Sequence, residues 1–101
     1  MSEILTIIQD KLEAKQHIYR VFVNQVNKDL SRSGFDEIIA ATPKDFLQQL
    51  ADVLNEAIED NDPKLQQLFY LADVQEKNLE HGIILGFIHR EWMKIRYRLG
   101  Q

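Results

Sequence analysis

From Glu3 to Ser33 the chain contains neither glycine nor proline, and its apolar residues keep a helical beat throughout. Ile4, Ile8, Leu12, Tyr19, Phe22, Val26 and Leu30 recur at spacings of three, four or seven, which at 100° per residue gathers them within about 80° of arc. That period suits one buried stripe along a helix and not a strand, whose side chains alternate. The β-branched patch His17–Val23 has strand-forming residues, but its apolar positions do not alternate cleanly. The pattern predicts a long first helix. Unbroken, some 30 residues would span about 45 Å, long for a chain of 101 residues, so a bend near residues 14–18 stays open. Gly34 is placed to cap its C-terminus in a left-handed conformation.

Phe35–Ala41 reads as a connector whose apolar residues pack down. Thr42-Pro43 is a helix start, with a hydroxyl to cap, a proline for the first turn and Asp45 near the positive end of the dipole. The helix it opens, residues 43–60, sets Phe46, Leu47, Leu50, Val53, Leu54, Ala57 and Ile58 on one arc and Asp45, Asp52, Glu56 and Glu59 opposite. Asp62-Pro63 repeats the start signal for a short helix through Ala72, bearing Leu65, Leu68, Phe69 and Leu71. Asp73 followed by Glu76 has the spacing of a capping box, and predicts a last helix from there to Arg98. No repeat or linker divides the chain. The expectation is one all-α domain over residues 1–101, a compact bundle of four to five helices.

Three segments, NQVNKDLSRSGFD (24–36), LFYLADVQEKNL (68–79) and REWMKIRYR (90–98), resemble recurrent stretches of a group of short uncharacterised bacterial proteins. The resemblance implies a small cytoplasmic helical domain and brings with it no activity and no site residues.

Composition narrows the chemistry. There is no cysteine, hence no disulfide, thiolate metal site or thiol nucleophile, a usage that suits a reducing cytoplasm. Apolar runs such as Gly82–Ile88 are far short of the 18 or so residues of a membrane span. MSEILTIIQDK carries Glu3 and Asp10 rather than a basic leader, so no secretory signal is expected. The sequence has no Gly-x-Ser-x-Gly elbow, no HExxH and no glycine-rich phosphate loop. Carboxylate pairs such as Asp52/Glu56 share a solvated face, whereas catalytic acids are usually perturbed by burial. Glu13 and His17 stand four apart rather than in the Glu-x-x-His spacing of di-iron bundles. His81 and His89 lie on one helix about 80° apart, with His81 on the side of the Ile84/Ile88 seam as a partly buried structural residue. No catalytic residue, no metal site and no cofactor is expected.

The net charge of −4 hides an asymmetry, because Arg90, Lys94, Arg96 and Arg98 crowd the last dozen residues. Aromatic Trp92 and Tyr97 stand between them, as on a nucleic-acid-binding surface. Wound on a helix with Ile84 at 0°, Ile88, Trp92, Ile95 and Leu99 form a buried stripe at about 20–80°, while Arg90, Lys94 and Arg98 line a flank at about 240–320° beside Tyr97. Glu91, near 340°, is placed to pair with Lys94 at i+3. Three cations on an acidic body make a thin footprint for phosphates, and cations in a last turn already answer the helix dipole. Nucleic acid binding through this helix is therefore the alternative reading, and an enzyme the third. The leading one is a soluble, cytoplasmic, non-enzymatic interaction or accessory module, docking a protein partner or a second copy of itself. Its candidate residues are Arg90, Lys94, Arg98 and Tyr97 on one row and Asp45, Asp52, Glu56 and Glu59 on the other, both rows facing outward.

Overall fold

The long apolar stripe is cut once. The computed structural model describes residues 3–79 and 82–100, Glu76 by its backbone only. In it α1 (Glu3–Ala14) ends at Lys15, whose extended backbone (φ −140°, ψ 113°) turns the chain before α2 (Gln16–Arg32) begins. The bend left open near residues 14–18 thus falls at Lys15, and the predicted long helix is two. A straight rod of about 45 Å would overrun a molecule whose longest extent is 35 Å. Turning at Lys15 lets Ile8 and Leu12 of α1 join Ile18, Phe22, Val26 and Leu30 of α2 in one core. The break needs neither glycine nor proline, because burying both halves of the stripe outweighs the helical hydrogen bonds lost at the turn.

Helix ends follow the local chemistry. α2 stops in a Schellman motif: Gly34 takes φ +94°, its N–H donates to the Ser31 carbonyl, and the Phe35 N–H donates to that of Leu30. α3 (Pro43–Glu59) starts as predicted, with the Asp45 N–H donating to the Thr42 hydroxyl at 3.2 Å. The chain leaves α3 through Asn61 at φ 51°, and the Asp62 carboxylate accepts from the Lys64 N–H at 2.9 Å as α4 (Lys64–Ala72) begins. The capping-box expectation fails at Asp73. That residue ends α4 in the left-handed conformation (φ 59°), so it cannot also cap the next helix. Residues Glu76–Leu79 make a single 3-10 turn instead, and α5 (Ile83–Leu99) starts late, after Gly82. Residue 81, the predicted structural histidine, lies outside the described residues.

The five α-helices form the expected all-α bundle, with no strand among the described residues. α5 runs through its middle and packs on each of the other four helices. Phe22, Phe46 and Phe87 fill the core. Phe46 meets Phe22 and Tyr19 edge-on with centroids 6.0 and 6.2 Å apart, and Phe69 stacks on Phe87 at 5.8 Å. The connector from Phe35 to Ala41 is pinned from α2. Asn27 exchanges two hydrogen bonds with the Ile38 backbone (2.8 and 2.9 Å), and the Tyr19 hydroxyl donates to the Ala40 and Thr42 carbonyls, 3.1 Å from each. Ile38 thus reaches the core while Ile39 remains exposed.

Gly86 is where α5 touches the 3-10 turn. A Cβ there would overlap the Asn78 backbone carbonyl, which cannot swing away as a side chain would. Alanine normally stabilises a helix interior by about 1 kcal/mol over glycine. Gly86→Ala should do the reverse, lowering stability by about 1–3 kcal/mol, read as a fall in the urea midpoint. An unchanged or raised midpoint would show that the turn is not held against α5.

Candidate functional site

The charged flank of α5 does not face outward as a row. Arg90 reaches the end of α4, its Nε donating to the Asp73 carbonyl and its Nη2 to the Asp73 carboxylate, both at 3.0 Å. That guanidinium holds the Asp73 carboxyl below the usual range. Lys94 is mostly covered, and its ammonium lies 3.0 Å from Asp29 Oδ2, 3.3 Å from the Leu71 carbonyl and 3.5 Å from Glu91 Oε2. Arg98 donates to Gln25 Oε1 at 2.6 Å, and Gln25 in turn donates to Asp29 at 3.2 Å. The expectation that Arg90, Lys94 and Arg98 form an exposed row is therefore corrected for Arg90 and Lys94, which are partly covered, while Arg98 remains exposed. All three are engaged by residues of α2 and α4, and Tyr97 beside them stands well out, at 79% exposure.

The physical reason lies in α5's central position. A helical wheel gives angles about one axis and not the location of the neighbours. With helices on several sides, two stripes of α5 are covered. The signal was nonetheless present: Phe87 falls at about 300° on the same wheel, among the cations, and is fully buried with Glu91 beside it.

Glu91 is the unexpected residue. Its side chain is 0% exposed, and neither carboxyl oxygen has a hydrogen-bond partner. The predicted i+3 pair with Lys94 exists, at 3.5 Å. Burial, reinforced by the neighbouring Asp29 carboxylate and opposed by Lys94, pushes the Glu91 carboxyl up to about 9. Near neutral pH it is a neutral acid. One ammonium then faces one carboxylate, Asp29, which is also buried. None of the four clefts described below is lined by Glu91, Asp29 or Lys94, so no substrate route to this acid is apparent through them. Perturbation alone is a weak sign of catalysis, since buried structural networks produce it too.

The second predicted row is exposed as expected. Asp45, Asp52, Glu56 and Glu59 lie on the outer face of α3, and Asp60 extends them past its end. Asp52 accepts from Gln48 at 3.0 Å, and among the described residues none of the five is in an ion pair. Glu56 and Glu59 sit in the last turn, with no basic residue there to answer the helix's negative pole.

Clefts among the described residues include the following four. One of about 430 Å³ runs between α1, α3 and the start of α5, walled by Leu5, Leu47, Ile84 and Ile88. A second, about 470 Å³, is walled by Ile58, Leu65, Phe69, Leu79 and Ile83, with Asp62 among its lining residues. A third of about 330 Å³ lies along the connector, and a fourth of about 300 Å³ at the α1–α2 break. That break separates Glu13 from His17 onto different helices, and among the described residues no three His, Asp or Glu side chains are grouped to hold a metal ion. No described helix is long and apolar enough to cross a membrane.

The raised Glu91 acid has a signed consequence. The folded chain keeps a proton that the unfolded chain releases near pH 4.5, so stability falls as pH rises from about 4.5 to about 9, by at most about 1.4 kcal/mol per unit. Urea unfolding at pH 5 to 8.5 should show this slope, and Glu91→Gln, neutral throughout, should flatten it and be the more stable protein at pH 8.5. Parallel pH profiles would mean that Glu91 is ionised in the folded chain.

Compared with known proteins, the chain matches no family model, no curated protein and no solved structure, and its function has to be argued from this geometry.

Proposed function

We propose that the chain is a non-enzymatic, cytoplasmic interaction module whose docking face is the acidic outer side of α3. The observation that carries this is the placement of Glu56, Glu59 and Asp60 at the negative pole of α3, exposed and without a cation of their own. Like charge at a helix pole is unfavourable by about 0.3–1 kcal/mol per group. A basic partner removes that cost and gains long-range attraction, which sets orientation and association rate more than affinity. The apolar cleft of Ile58, Phe69 and Ile83 opens beside the last turn of α3. Together they suit a helical segment with cations along one side and aliphatic residues along the other, a helix-in-groove mode of recognition. The basic flank of α5, engaged within the chain, is left to hold the bundle together. The nucleic-acid alternative therefore rests on fewer cations than linear order suggests.

Calorimetry with a synthetic amphipathic helix of Lys and Leu supplies the test, alongside light scattering of the protein alone at low and high salt. Binding should weaken at least about tenfold, some 1.4 kcal/mol, in Glu56→Gln/Glu59→Gln, while the same variant should melt higher because the pole is relieved. Equal affinity for wild type and variant, or for a peptide whose cations are replaced by serine, would refute the reading. A salt-sensitive dimer abolished by the same variant would name a second copy as the partner.

A further inference from the structure

The fourth cleft has the opposite charge character, and none of the α3 residues contributes to it. It opens where α1 gives way to α2 and is closed on the far side by α5. Lys11 comes from the last turn of α1, Lys15 from the break and Arg96 from α5, so three separate backbone positions converge on a volume of about 300 Å³. Among the described residues no carboxylate lines it, in a chain of net charge −4. Lys11 and Lys15 have no ion pair or side-chain hydrogen bond among the described residues. The rest of the lining is apolar, with Ile7, Ile18 and the 8%-exposed Trp92. The Trp92 indole N–H has no acceptor among the described residues, leaving a donor to spare.

We propose that this cleft is a binding site for a small organic anion, a carboxylate or phosphate monoester carrying a short apolar body. The head would be met by Lys11, Lys15 and Arg96 through charge-assisted hydrogen bonds, which are roughly twice as strong as neutral ones. The body would cover Ile7, Ile18 and the edge of Trp92, where apolar contact is gained by excluding water. The volume lies at the lower end of the range for ligand pockets, about 300–1,000 Å³, which favours a short body over a long chain.

Trp92 is the single tryptophan of the chain, so its emission reports on this cleft without a label. Titration with octanoate and with octyl phosphate, below their micelle concentrations, should give a saturable change in emission and a matching calorimetric isotherm. Inorganic phosphate and octanol, each bearing half of the ligand, should bind about tenfold or more weakly, and Lys11→Gln/Lys15→Gln should weaken octanoate to a similar degree while unfolding at the wild-type urea midpoint. Vesicles of phosphatidylcholine with phosphatidic acid distinguish the source. Retention that octyl phosphate competes away assigns the site to a lipid headgroup, and octanoate binding without retention assigns it to a soluble ligand. The proposal is overturned by the absence of any isotherm, by octanol or inorganic phosphate binding as tightly as octanoate, by unaltered affinity in the lysine variant, or by an oligonucleotide binding there more tightly than octyl phosphate. Because α3 takes no part, failure here leaves the acidic docking face standing, and the converse also holds.

Discussion

Between α2 and α5 two buried carboxylates, Asp29 and Glu91, share one ammonium, that of Lys94. Charge cannot balance there unless one acid keeps its proton, and Glu91, the more completely enclosed, is the one that does. The arrangement costs stability compared with an apolar filling of the same volume, because desolvating an ion pair consumes most of its attraction. What it supplies is position. Lys94 also reaches the Leu71 carbonyl, and Arg90 one turn earlier holds Asp73, so α5 is tied at once to the body of α2 and to the end of α4. Drawing Lys94 away from Asp29 would leave a buried carboxylate without its counter-charge. Apolar contacts among Phe87, Ile88 and Ile95 tolerate small displacements far better than such a pair does.

This use of the α5 cations decides what is left for the surface. Arg90, Lys94 and Arg98 answer acids and carbonyls of their own chain, so the acidic majority of the molecule is not neutralised where linear order suggests. Acids gather at the negative end of α3, a placement that runs against the helix dipole, while Lys11 and Lys15 stand where α1 gives way to α2. The basic segment proposed for the first place and the small anion proposed for the second would each bring the opposite charge.

Helix periodicity made the fold class legible, since the amphipathic stripe of α3 and its Thr42-Pro43 start survive intact in the structure. Two boundaries were less legible, the bend left open near residues 14–18 and the helix start expected at Asp73, for different reasons. At Lys15 no local residue disfavours helix, and the break comes from packing α1 back against a core that a straight rod could not reach. At Asp73 the local signal was ambiguous, because Asp both caps helix starts and tolerates the left-handed conformation that ends them. The acidic row was readable because α3 presents one stripe inward and the opposite one to solvent. The basic row was misread because α5 is covered on two sides, a property of the assembly that no single helix encodes.

α5 carries little local capping at its start. Gly82 offers no side chain to the first N–H groups, and the helix has no acidic residue in its first turn. A helix with a weak start depends on tertiary contacts for its stability. α5 draws these from all four companions, with Gly86 letting the 3-10 turn approach its backbone and the Asp29–Lys94 pair locking its middle. Secondary structure at α5 is therefore a consequence of the bundle more than a cause of it. The reverse holds for α3, which is well capped by Thr42 and strongly amphipathic. A helix that forms by its own chemistry can carry misplaced acids at its far end and still persist. That is how the docking face proposed for α3 can be carried by it, while the conformational burden of the fold rests on α5.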